Sequence, residues 1–231
     1  MASIDSIIVL DIDGTLTDSV PAHQHAFEQA LRFFPFQALS TDWGRYTHHS
    51  DSGIFYEAWQ KANFVGEPDL ATLEEAYLKA YPQALKRYPV SAIPGAAEFV
   101  ATLSESWGIV FATGSLRSGA LHKLGVLGID ADEVVLVTSS EFASREELVK
   151  QAVGQGCRRF GIKAPRRVVS IGDGIWDLKT ANNLGYEFLG IGEGEKAAHL
   201  SASGAEVYPD FIALLKDRQL FSSEPIAIKE S

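Results

Sequence analysis

Two aspartates, Asp11 and Asp13, stand at the end of an apolar run, Ile7-Ile8-Val9-Leu10, with one isoleucine between them and Gly14-Thr15 after them. The run is short and mostly β-branched, so it reads as a buried strand that stops at the carboxylates. Residues two apart on an extended chain face the same side. Two like charges held that close are unfavourable unless one is protonated or a cation lies between them. The pair therefore points to a metal, a shared proton, or both. An ordinary Asp-Gly turn at a strand end would use the same residues for local reasons alone.

Such chemistry needs a scaffold that brings distant side chains to the pair. Residues 21–34 carry a helical stripe, Ala22, Ala26, Phe27, Ala30, Leu31 and Phe34, with Ser19 and Pro21 as start signals. A second helix is expected over 53–62 and a third over 67–88, where Pro82 should break or kink it. No good strand is visible between Thr17 and Tyr88. From Ile93 the rhythm changes: strands at 108–112, 134–137, 168–171 and 187–190 alternate with helices from Pro94-Gly95 to 106, at 116–124, at 145–153 and up to 184, where Gly185 ends the last. Alternation of this kind implies right-handed βαβ units and a parallel sheet covered on both faces. The expected fold is α/β: a Rossmann-like parallel-sheet core from residues 1–17 and 89–231, with an α-helical module, 18–88, inserted after the first strand. The tail from Phe221 shows no clear pattern and is expected to be loosely ordered.

All strands of a parallel sheet end on one edge, and ligands bind there. Four strand ends carry polar residues: Asp11 with Asp13, Thr113, the segment leading to Arg145, and Asp173 with Asp177. The string DIDGTLTD resembles the first motif of the haloacid dehalogenase superfamily, Asp-x-Asp-x-Thr/Val. Asp18-Ser-Val-Pro-Ala-His23-Gln-His-Ala-Phe27 resembles the start of the helical cap in its phosphoglycolate phosphatase-like branch. The remaining motifs follow in order. Thr113 is the hydroxyl residue of the second, and its side chain and the following N–H groups can bind phosphate oxygens, with Gly114 letting the backbone approach a ligand. A Thr-Gly-Ser helix cap is the competing reading. VVSIGDGIWD resembles the fourth motif; if a helix began at Asp173, Asp177 would lie one turn away on the same face.

The third motif departs from its pattern, with Arg145 where many relatives have lysine and Lys150 as the competing cation. Ser144 and Glu147 have capping-box spacing, so Arg145 should be the first helical residue. A cation there faces the positive end of the helix dipole, which marks it as a functional candidate. Lys150 falls more than a turn further on.

The resemblance, over residues 7–192, implies a phosphomonoester hydrolase working through an aspartyl-phosphate. Asp11 would be the nucleophile, Asp13 the acid and base, and Thr113 and Arg145 the partners of the transferring oxygens. Hard oxygen ligands favour Mg²⁺ over zinc. Asp11, the Asp13 carbonyl and Asp173 are the expected direct ligands, with Asp177 bound directly or standing behind them. In the helical cap, His23 and the group Arg45, His48 and His49 are candidates for choosing the substrate, a small phosphorylated metabolite. A polar loop with Ser50 or Asp51 capping the next helix is the alternative. Two other functions stay open: a phosphosugar mutase of the same superfamily, and a binding or regulatory protein that kept the fold without the activity.

Composition narrows the remaining classes. The 231 residues are 46% hydrophobic, enough for a sizeable core, and the formal charge of −10 opposes nucleic acid and anionic membranes as partners. Arg158, Arg159, Lys163, Arg166 and Arg167 form a basic cluster, but it precedes a strand and so belongs at the opposite sheet edge. Gly190-Ile-Gly192-Glu-Gly194 puts Glu195 where a dinucleotide fingerprint needs glycine, which argues against nicotinamide binding. One cysteine, Cys157, excludes an internal disulfide. With no signal peptide or membrane-length apolar run visible, a cytoplasmic protein is expected.

Overall fold

A computed structural model describes residues 4–217 and Phe221. Strand β1 (Ile7–Leu10) is wholly buried, and the two-residue strand β2 (Thr17–Asp18) leads from it into α1 (Val20–Leu31), α2 (Asp51–Lys61) and α3 (Leu70–Arg87). Strand β3 (Ser91–Ala92) returns antiparallel to β2. The chain then alternates through α4 (Ala96–Leu103), β4 (Gly108–Thr113), α5 (Arg117–Val126), β5 (Val135–Thr138), α6 (Arg145–Phe160), β6 (Val168–Gly172), α7 (Ile175–Leu184) and β7 (Glu187–Ile191). It continues through α8 (Gly194–Ala202), β8 (Glu206–Tyr208) and α9 (Phe211–Lys216).

Six strands form one parallel sheet in the order β5-β4-β1-β6-β7-β8. Ile7 of β1 stands between Gly108 of β4 and Val168 of β6. The chain builds outward from β1 on one side and then on the other, so the sheet's switch point lies where β1 ends in Asp11. On one face Ile8, Leu10 and Phe111 pack with Phe99 of α4 and Phe211 of α9. On the other, Val9, Val110 and Val137 meet Leu148 and Ala152 of α6. Helices α1 to α3 gather around a separate apolar cluster that includes Phe27, Leu31, Phe55, Leu73 and Tyr77. This is the expected α/β architecture, a Rossmann-like core with added helices.

Several elements differ from the sequence reading. Helix α6 continues to Phe160, seven residues beyond the expected end at 153, because Gly154 and Gly156 do not end it. A Cβ on Gly156 would lie 2.6 Å from Val110 Cγ1, so this glycine lets the helix sit directly on the sheet. Pro82 does not break α3. The carbonyl it deprives of a donor belongs to Leu78, on the exposed side, while Tyr77, Tyr81 and Ala84 stay buried. Strand β2 falls where no strand was expected, and α8, β8 and α9 extend the series beyond the last expected strand. The tail residues 222–231 lie outside the described residues; Phe221 packs against Phe99 and Trp107. The basic cluster does sit away from the carboxylates: Arg158 and Arg159 occupy the last turn of α6, and the Arg166 N–H donates to the Asp5 carbonyl ahead of β1.

Candidate active site

The ends of β1 and β6 and the start of α7 bring Asp11, Asp173 and Asp177 together. One oxygen from each lies within 4.8 Å of the others, and all three residues are buried. The grouping does not arise as expected from one helical face. Helix α7 begins only at Ile175, so Asp173 is still on the strand end, while Asp177 accepts the Gly174 N–H at 3.1 Å from inside the first turn. Gly14 makes the approach possible: at φ +79° it adopts a turn that other residues resist, and a Cβ there would lie 2.3 Å from Asp173 Oδ2. Burial, then Asp177, push the Asp11 carboxyl well above its usual range even with Arg145 opposing them. Burial likewise raises Asp177 to about 6. Excess negative charge among buried hard oxygens is what a divalent cation such as Mg²⁺ would relieve, so the donor set fits one.

Two cations offset part of that charge. Arg145, the first residue of α6 with Ser144 as its cap, places Nη1 2.7 Å from Asp177 Oδ1 and 3.4 Å from Asp11 Oδ1. Its Nε donates to the His49 carbonyl at 2.9 Å, and its guanidinium lies over the Trp176 ring. Lys150, by contrast, is exposed. The second cation is Lys196 of α8, 2.8 Å from Asp173 Oδ2.

Asp13 faces a different set of groups. Its carboxylate lies 2.7 Å from Lys123 Nζ through both oxygens and accepts from the Ser19 and Ser115 hydroxyls. Lys123, on α5, has no exposed surface. Burial alone would raise the Asp13 carboxyl, but Lys123 and His23 outweigh it and hold the group far below the ordinary carboxylate range. The Asp13 carboxylate is thus held by Lys123, Ser19 and Ser115 and is not one of the three that converge. His23 completes the network, with Nε2 3.0 Å from Asp51 Oδ1 and Nδ1 3.0 Å from the Tyr77 hydroxyl.

Thr113 is buried at the end of β4, where its hydroxyl accepts the Ser115 N–H at 3.1 Å. The neighbour that needs Gly114 to be small is the chain itself: a Cβ there would lie 2.7 Å from the His49 carbonyl oxygen. The 49–52 segment is pinned to the core by further bonds. The Asp51 N–H donates to the Gly114 carbonyl, and the Asp51 carboxylate accepts the Leu116 N–H at 2.8 Å. Ser50 caps α2 through the Gly53 N–H and donates to the Ala143 carbonyl.

Between the helices and the sheet edge lies a cavity of about 490 Å³, whose core-side wall includes Asp13, Thr113, Gly114, Arg145, Asp173 and Lys196. Asp11, only 5% exposed, is not on that wall. Of the four helical-module candidates, His23 and His49 line the cavity and Arg45 and His48 do not. Arg45 pairs with Asp42 and is 79% exposed. His49 stacks on Trp176 at 4.9 Å, and burial, helped by Arg145, lowers its pKa.

The sequence reading missed Lys123, Lys196, Ser19, Ser115 and Trp176. Only Ser19 and Lys196 carried a signal. Ser19 sits at the N-cap position of α1 but makes no capping bond, because its hydroxyl serves Asp13. Lys196 lies in the first turn of the helix that starts within the glycine-rich 190–194 stretch.

The model of the haloacid dehalogenase-like hydrolases matches residues 6–185. No curated protein sequence matches. Among solved structures, a hydrolase from Pseudomonas syringae is 25% identical at a TM-score of 0.71, with 94% of this chain and 100% of that one covered. CbbY from Rhodobacter sphaeroides, in complex with phosphate, is 18% identical at a TM-score of 0.65, covering 91% and 96%. A mutant of CbbY in complex with xylulose-(1,5)bisphosphate is 17% identical at 0.64, covering 90% and 95%.

Proposed function

Since the chain belongs to the haloacid dehalogenase-like hydrolases, we propose that it is a Mg²⁺-dependent phosphatase that hydrolyses a small phosphorylated metabolite through an aspartyl-phosphate formed on Asp11. The observation that carries this reading is the buried Asp11, Asp173 and Asp177 trio beside Arg145, a site built for concentrated negative charge. In this reading residues 18–88 act as a cap over the core formed by 1–17 and 89–231.

Asp11 attacks phosphorus in line, one oxygen forming the new P–O bond as the bond to the leaving oxygen breaks. Arg145 moves its guanidinium from Asp11 onto the transferring oxygens, and Thr113 donates to them. Asp13 gives the leaving oxygen a proton and then takes one from the water that attacks phosphorus, freeing Asp11 and inorganic phosphate. Lys123 favours the ionised carboxylate, so the base role is the better supported of the two. Asp11, the Asp13 carbonyl, Asp173 and Asp177 would hold Mg²⁺, which would neutralise charge on the transferring oxygens. The closed 49–52 segment excludes water from the chemistry.

A mutase reading has less support. Moving a phosphoryl group between two hydroxyls of one sugar passes through a bisphosphate, and among the described residues no Lys or Arg lines the cap side of the cavity to hold the second phosphate. The test is release of inorganic phosphate from 4-nitrophenyl phosphate. Release that needs Mg²⁺, stops with chelator, and is lost in folded Asp11→Asn and Asp13→Asn is expected. Wild-type turnover by Asp11→Asn would overturn the mechanism.

A further inference from the structure

The far end of the cavity has a chemistry of its own. Its cap-side wall includes Val20 and Phe27 of α1, Trp43, and Ile54 of α2, whereas Trp176, between Asp173 and Asp177 in sequence, lies beside Arg145 and His49 at the core end. Trp43 and Trp176 are only half-buried, and Phe27 and Trp43 meet at 5.5 Å between ring centres. Of the cap's polar lining residues, His23, His49, Ser50 and Asp51 are bonded or stacked towards the core, which leaves the neutral Gln24 and Thr41 and the acid Asp42. Both cations of the cavity wall, Arg145 and Lys196, belong to the core and are already committed to the carboxylates. Arg45, largely exposed, does not line the cavity and is held by Asp42 at 2.8 Å.

The consequence for a bound ester follows from charge and surface. One phosphoryl group can be held at the core end. A second phosphate or a carboxylate at the other end would leave water for a largely apolar wall whose neighbouring cation, Arg45, lies outside the lining and is already paired with Asp42, a costly transfer. A flat apolar group would instead be covered by aromatic rings, which favour offset or tilted stacking. We infer that the substrate is a monophosphate ester of an uncharged aromatic alcohol, with no second anionic group. This rests on the phosphatase reading and names the class of its leaving group.

The test uses the full-length protein with Mg²⁺ and a set of primary alkyl phosphates, so that leaving-group acidity stays nearly constant: benzyl phosphate, 4-carboxybenzyl phosphate and glycerol 3-phosphate, with acetyl phosphate as a reference for phosphoryl transfer itself. We expect kcat/KM for benzyl phosphate to exceed each of the other two esters by about tenfold or more, the scale on which one pocket contact discriminates. Calorimetric binding to Asp11→Asn, which does not turn over, should give the same order. Asp42→Lys, at an exposed side chain, should bring 4-carboxybenzyl phosphate about tenfold closer to benzyl phosphate by replacing the acid of the wall with a cation and releasing Arg45. Equal or better use of glycerol 3-phosphate or 4-carboxybenzyl phosphate would overturn the substrate class and leave the phosphatase reading intact. No phosphate from any compound, acetyl phosphate included, would overturn the phosphatase reading, and the substrate class would then stand or fall on the binding order.

Discussion

Replacing Lys123 by methionine keeps the length of a side chain that has no exposed surface and removes its charge. The ammonium lies 2.7 Å from both Asp13 oxygens and 2.8 Å from the Ser115 hydroxyl, so the variant leaves a mostly buried carboxylate without its cation. Breaking a buried pair from one side costs about 3–5 kcal/mol. The low end applies, because the Asp13 side chain is 15% exposed and keeps its bonds to Ser19 and Ser115. At roughly 2–4 °C per kcal/mol for a chain of this size, Tm should fall by about 6–12 °C near neutral pH. The pH dependence fixes the cause. Lys123 holds the Asp13 carboxyl below its usual range, so the wild-type contribution is complete above the unfolded carboxylate value and is lost as pH falls through the folded one. In the variant burial dominates and raises that carboxyl, which can then fold in its neutral form once the solution is acidic. The Tm deficit should therefore be largest near about pH 7.5 and shrink towards about pH 4.5, and the double variant Asp13→Asn, Lys123→Met should recover much of it at neutral pH. Thermal unfolding followed by circular dichroism gives all three results. A deficit independent of pH, or a double variant no more stable than the single one, would refute the assignment of a coupled buried pair.

Arg145→Ala should lower kcat/KM by about 100-fold or more, as for loss of a partner to transition-state charge, while Lys150→Ala on the exposed face of α6 stays within twofold or so. Because Arg145 also offsets the buried carboxylates, its loss should lower Tm in chelator and increase the stabilisation that added Mg²⁺ gives, which differential scanning fluorimetry would detect. Two glycines in the same helix should respond with opposite signs. Gly156→Ala forces a methyl towards Val110 and should destabilise by about 1–3 kcal/mol, whereas Gly154→Ala meets only Arg158, at 3.8 Å, and should stabilise by about 0.5–1 kcal/mol in urea unfolding.

The first strand, the alternation that follows it and the four carboxylates were legible in the chain because each is a local pattern: an apolar run, a change of period, an acid where the run stops. The start of α6 was equally legible, since Ser144, Glu147 and the misplaced charge of Arg145 lie within one turn of each other. Helix length was less so, because a glycine that ends a helix and one that seats it on a sheet look alike until Val110 is known to lie beneath Gly156. Tertiary structure alone decided the surroundings of Asp13. Lys123 lies 110 residues away on a helix where lysine is an ordinary surface residue, and it becomes the buried partner of Asp13 only because α5 turns that face towards the end of β1. The same holds for the cap. The sequence placed Arg45, His48 and His49 together, and the fold sent Arg45 to solvent, held the His49 carbonyl on Arg145 and turned an aromatic wall towards the cavity. Side-chain direction in a short irregular segment is set by what packs against it, and periodicity carries no information about that.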